Sequence, residues 1–207
     1  MVERQKKRTR LKPEVRRAQL LDVGLEVFAK KGMAATNLDE VALAAGVTKR
    51  VVYHYFENKQ AFFDAIAERE MRIIATRMRD AAVTANVAED IAKMSQSLFA
   101  YLAERPHGFG ALLSHAPIAW QGQDRLSELR TAFYSALAYG VREELGGSDA
   151  EVDGTFIGHA MVGTFIFAAQ HWLSNSSRPS ADEAAKELSD LVLRGFVGLA
   201  NVRRPTK

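Results

Sequence analysis

Apolar residues recur along this chain at steps of three and four, and nowhere do they alternate every second position between hairpin turns. Over residues 13–31, Leu21, Leu25 and Phe28 share one helical face, with Leu20, Gly24 and Val27 beside them. Lys30-Lys31-Gly32 closes that segment with cations in the last turn and a residue suited to a left-handed cap. Asn37-Leu38-Asp39-Glu40 is spelled like a capping box, in which Asn37 accepts from the amide three residues on and Glu40 reaches back to the Asn37 amide. A short helix starts there and stops at Gly46. Thr48 is placed to cap a second short helix ending near Tyr55, and Asn58 to open a long one from Lys59 to about residue 84. Further helical patterns cover about 87–104, stopped by Pro106; 108–115, stopped by Pro117; 123–145, stopped by Gly146-Gly147; 149–174; and 181–201. The fold class is all-α.

Charge changes this picture because it is unevenly spread. Residues 1–59 hold 13 Lys/Arg against 7 Asp/Glu, a net of +6, whereas the remainder holds 15 against 18, a net of −3. A basic first quarter suggests contact with a polyanion, the plainer alternative being a solvated basic tail. Apolar residues at 47% and charged residues at 26% are those of a globular chain. The absence of cysteine removes disulfides, thiolate metal sites and cysteine nucleophiles. No apolar segment follows the charges of the N-terminus, and the run from Ala160 to Ala169 is about half the ~20 residues needed to span a bilayer. These features point to a cytoplasmic location.

The two short helices, joined through Gly46 and carrying the small packing residues Val41, Ala42, Ala45, Val47, Val51 and Val52, form a helix-turn-helix pattern. In that arrangement the second helix enters the major groove of DNA and its N-terminal residues meet base edges. Val52 is expected inward and Phe56 to return to the core, leaving Lys49, Arg50, Tyr53 and His54 outward. Arg50 can donate two hydrogen bonds to a guanine edge or hold a phosphate, and Lys49 can do either as a point charge. Tyr53 and His54 can donate to phosphate oxygens. Lys59, in the first turn of the following long helix, and Asn37 sit where backbone amides already favour an anion. The eight cations within residues 4–17 could follow the backbone or enter a minor groove.

Asn37-Leu38-Asp39-Glu40-Val41-Ala42, Ala45 to Arg50, Val52-Tyr53-His54-Tyr55-Phe56, Asn58-Lys59 and then Phe62-Phe63 together resemble the N-terminal signature of the tetracycline-repressor-like (TetR) family over about residues 14–65. The resemblance implies a homodimeric transcriptional regulator, usually a repressor, whose C-terminal domain binds a small ligand that lowers DNA affinity. It implies DNA contacts at Lys49, Arg50, Tyr53, His54 and Lys59, with Thr36, Asn37 and Thr48 as further candidates. Arg50 departs from the family pattern, where a small residue is common, and so does Val51, where threonine is.

The expected organisation is a basic arm at 1–12, a three-helix DNA-binding domain at 13–58, and a ligand-binding and dimerisation domain at 59–207. Apolar and aromatic residues that could line a cavity for a mostly apolar or aromatic effector are Phe99, Leu102, Phe109, Leu113, Trp120, Phe133, Leu137 and Phe165. Leu188, Leu191, Val192, Gly195, Phe196 and Leu199 form a stripe compatible with pairing of the last two helices between two copies.

The competing class is a helical-bundle enzyme or a non-regulatory small-molecule-binding module. Glu104-Arg105-Pro106-His107 has the Glu-x-x-His spacing of a di-metal bundle, but it occurs once and a proline interrupts it. His115, His159 and His171 lack partners at metal-ligand spacing, and no nucleophile is set beside a base. We therefore expect no catalysis, no metal and no cofactor, with operator DNA, a small effector and a second copy of the chain as partners.

Overall fold

The computed structural model describes residues 11–81, 86–108, 110 and 154–202, and among these all regular structure is helical. The elements are α1 (Pro13–Ala35), α2 (Leu38–Ala44), α3 (Lys49–Tyr55), α4 (Lys59–Ala81), α5 (Val87–Glu104), α6 (Gly154–Ser174) and α7 (Ala181–Val202). Of the helix expected at 108–115 only residues 108 and 110 are described, both helical, while the helix expected at 123–145 and the arm up to residue 10 lie outside the described residues. No helix among the described residues is long and apolar enough to cross a membrane. The chain divides into two compact units, residues 1–67 and 68–207, so that α4 contributes to both.

In the first unit Leu20, Leu21, Leu25 and Phe28 of α1 are buried together with Leu38 and Val41 of α2, Val52 of α3, and Phe62, Phe63 and Ile66 of α4. Removing each such side chain from water is worth about 1.5–3 kcal/mol. Aromatic edges lock the centre: Phe28 meets Phe63 edge-on at 5.0 Å, and Phe56 meets Phe62 at 4.4 Å. Gly24 is what lets α1 approach this close. A Cβ there would clash with Cε1 and Cζ of the Phe62 ring.

The helix boundaries follow local chemistry, with two departures from expectation. Helical geometry in α1 breaks at Gly32, whose φ of 75° and ψ of 163° lie in a region essentially reserved for glycine, and the short turn beyond it is tied by Thr36 Oγ1 donating to Gly32 O at 2.8 Å. The capping box at Asn37 does not form. Asn37 Oδ1 accepts instead from the Asp39 amide at 3.0 Å, and the Glu40 carboxylate turns to Lys31 at 2.8 Å, where an opposite charge competes with a neutral amide. The reciprocal box is found at Ser180, which donates from its amide to Glu183 Oε2 at 2.9 Å and accepts from the Glu183 amide at 3.2 Å. Asn58 caps α4 as its position suggested, accepting from the Ala61 amide at 2.8 Å.

In the second unit α5 packs chiefly on α7 and less extensively on α6. Phe99, Tyr101, Leu102, Phe165, Trp172 and Leu188 are buried there, with Phe99 edge-on to Trp172 at 5.5 Å. The C-terminal stripe does not face one way. Leu188 and Val192, four residues apart, are buried within the unit, while Leu191 is 64% exposed; the side chains of Phe196 and Leu199 lie outside those described.

Candidate nucleic-acid interface and effector region

The turn between α2 and α3 sets the interface. Gly46 adopts φ 64°, and around it the Val47 amide donates to Ala42 O at 2.9 Å and the Gly46 amide to Leu43 O at 3.0 Å. This pair of bonds is a Schellman motif, which satisfies the last carbonyls of α2 and sends the chain off in a new direction. A side chain at residue 46 would strain that left-handed backbone. Thr48 then occupies the N-cap position of α3 in extended conformation, without a side-chain capping bond.

Within α3 only Val52 is fully buried, and Phe56 follows it into the core at the helix end. Lys49, Arg50, Tyr53 and His54 are exposed, Tyr53 at 44%. Arg50 and His54, four apart, are neighbours on this outward surface. The His54 ring stands edge-on to Tyr55 at 5.2 Å. Lys49 lies over the Tyr53 ring at 5.6 Å, and its ammonium is held by the Asp39 carboxylate, 2.9 Å from Oδ1 and 3.1 Å from Oδ2. The hydrogen bond from Lys49 and the negative charge of Asp39 push the lysine above its ordinary pKa.

The remaining candidates are placed differently from one another. Lys59 Nζ donates to Ala34 O at 3.1 Å, tying the start of α4 to the end of α1. Asn37 is exposed, with its oxygen engaged by the Asp39 amide. Thr36 is 3% exposed and its hydroxyl points back to Gly32, which sets it apart from the outward group. Sequence reasoning missed Asp39 as a member of this surface. Its ten-residue separation from Lys49 becomes a contact only through the geometry of the Gly46 turn, and no local spacing rule expresses that.

Of the residues expected to line an effector cavity, Phe99, Leu102 and Phe165 are buried in the second unit. Phe109, Leu113, Trp120, Phe133 and Leu137 lie outside the described residues. Phe99 lines an open groove of about 310 Å³ together with Trp172, His171, Arg178 and Leu191, and the Arg178 guanidinium stacks over the Trp172 ring at 4.0 Å. Trp172 is fixed by donating from Nε1 to Pro179 O at 2.9 Å.

One polar cluster lies in the same unit. Glu70 of α4 is fully buried and accepts from Arg105 twice, from Arg69 at 3.1 Å, and from the Tyr101 hydroxyl at 3.2 Å. Burial pushes the Glu70 pKa up, but hydrogen bonding and charge from Arg105, aided by Arg69, outweigh it and hold the carboxyl below its ordinary range. Burial, reinforced by the Glu70 charge, pushes the Tyr101 hydroxyl far above a normal phenol, so it stays a donor. Glu104 and Arg105, from the stretch with metal-ligand spacing, are engaged elsewhere: Glu104 pairs with Arg77 at 2.6 Å and Arg105 with Glu70.

A tri-helical unit whose third helix shows its cations and rings to solvent after a glycine turn is a helix-turn-helix DNA-binding domain. Residues 20–66 match the family model described as bacterial regulatory proteins, tetR family. Over those residues the chain carries the N-terminal DNA-binding domain of the TetR family of transcriptional regulators. It is 26% identical over 203 residues to the HTH-type transcriptional repressor KstR2 of Rhodococcus jostii, covering 90% of this chain and 93% of that protein. With the HTH-type transcriptional activator FasR of Mycolicibacterium smegmatis it shares 24% identity over 179 residues, 86% of this chain and 81% of the other. In fold it is similar to a TetR-like transcriptional regulator from Rhodococcus sp. RHA1, with a TM-score of 0.74, 23% identity, and coverage of 91% of this chain and 100% of that one.

Proposed function

We propose that the chain is a homodimeric, ligand-responsive repressor of the cytoplasm, without catalytic activity, that leaves a palindromic operator when a small, mostly apolar or aromatic effector binds. The observation that carries this reading is the orientation of α3, which buries Val52 and offers Lys49, Arg50, Tyr53 and His54 to solvent. Arg50 reads bases from this face, Tyr53 and His54 contact the adjoining backbone, and Lys59, in the first turn of α4, holds a phosphate. Asn37 and Thr48 flank the reading helix as lesser contacts, while Thr36 shapes the turn before α2. The arm at 1–12 follows the backbone, 13–58 is the DNA-binding domain, and 59–207 binds the effector and dimerises.

Large apolar side chains at the surface of α6 and α7 support dimerisation through these two helices. Phe156 is 68%, Phe167 72% and Leu191 64% exposed, and a second copy would cover them. Two recognition helices then grip half-sites one duplex turn apart, about 34–36 Å, only at a matching separation. Effector binding among the helices after α4 shifts α4 and changes that separation. A mobility shift on the DNA upstream of the chain's own gene tests this, repeated with a panel of apolar and aromatic compounds. A salt-dependent complex released by members of the panel is expected. A flat salt response, or a complex that none of them disturbs, contradicts the proposal.

A further inference from the structure

We infer that Asp39 is a specificity-determining residue of the DNA-reading face, because its carboxylate withdraws Lys49 from the phosphate backbone and so lowers sequence-blind attraction. This rests on the assignment of α3 as the reading helix. Nζ of Lys49 sits across both carboxylate oxygens, at 2.9 and 3.1 Å, and over the Tyr53 ring at 5.6 Å. About half of each side chain is exposed, 57% for Lys49 and 49% for Asp39, so the pair lies where DNA would meet the protein. Arg50, the next residue, is exposed and makes no hydrogen bond or ion pair with another described residue.

Non-specific binding draws on counterion release, and each cation that neutralises a phosphate adds about 0.9 to the salt slope. A lysine already neutralised by an adjacent carboxylate contributes little of this, and the carboxylate itself repels phosphate. The guanidinium of Arg50 keeps its full charge and its fork of donors for a base edge. The face therefore loses attraction that all sequences share and keeps attraction that depends on sequence. The ratio between specific and non-specific affinity rises as a result.

The test is a double-mutant cycle on salt slopes, using wild type, D39N, K49A and D39N/K49A with a mixed-sequence duplex. We expect wild type and K49A to share one slope, D39N to be steeper by about 0.9, and K49A in the D39N background to remove that increment. D39N should also bind the mixed duplex several-fold more tightly and lose the same factor of discrimination for the sequence wild type selects from a random library. K49A lowering the slope equally in both backgrounds, or D39N leaving it unchanged, overturns the inference. K49A set against wild type tests the same point without any change in α2. Failure of wild type to select any sequence overturns the assignment of α3 itself, whereas a selected sequence combined with additive slopes overturns the role of Asp39 alone.

Discussion

Arg105 donates to the buried carboxylate of Glu70 twice, from Nε to Oε2 at 2.8 Å and from Nη2 to Oε1 at 2.6 Å. The bidentate geometry pins the end of α5 to α4, and Tyr101 adds a bond from the same helix. Gly108 completes the enclosure: a Cβ there would meet both Tyr101 Oη and Glu70 Oε2. Removing one partner strands a buried charge, while removing both need not. R105M should therefore lower unfolding free energy by about 3 kcal/mol in urea titration, and E70L/R105M should recover much of the loss. Equal destabilisation by the single and double variants would show that the pair is not what holds α5 to α4.

Acid sensitivity follows from the same carboxylate. Because Glu70 is held below its ordinary value of 4.5 in the folded chain, its contribution is complete above that value and is lost as pH falls through the folded value. Wild-type stability should thus decline below about pH 4.5 more steeply than that of E70Q, whose side chain does not titrate. Parallel pH profiles of urea midpoints for the two proteins would contradict this.

Close packing of α1 on α4 gives a second stability prediction. At Gly24 an added methyl enters the space of the Phe62 ring, so G24A should cost about 1–3 kcal/mol by overpacking despite the better helix propensity of alanine. Thermal unfolding followed by circular dichroism would show it as a lowered midpoint. A rise in the midpoint would mean the ring moves aside freely.

Dimerisation through α6 and α7 predicts that charge on the exposed apolar surface separates the copies. L191E places a carboxylate at a position now 64% exposed, where it costs the isolated chain little. Sedimentation should show a dimer for wild type and a monomer for L191E, with weakened operator binding in step. A monomeric wild type, or a dimer indifferent to L191E, would contradict the interface.

Much of the fold was legible in the sequence because helical spacing and caps are local. The bounds of α3 and α5, the cap at Asn58 and the inward Val52 all follow from residues within one or two turns. What escaped was decided by neighbours distant in sequence. Glu40 answers Lys31 instead of the Asn37 amide, and Lys49 finds Asp39 across the Gly46 turn. Leu188 and Leu191 read as one apolar stripe, yet packing within the unit buries the first and leaves the second bare. The outward set on α3 was readable from type and spacing, whereas Thr36, equally polar, turned inward for a carbonyl freed by the break at Gly32.

Arg50 and Lys59 give the most direct measurement. Affinities of wild type, R50A and K59A should be determined across every single-base variant of the wild-type-selected duplex, at several salt concentrations. R50A should lose roughly 10- to 100-fold of discrimination at particular bases, and K59A should weaken all duplexes alike with a salt slope lower by about 0.9. Equal, sequence-blind losses from both variants would contradict base reading by α3.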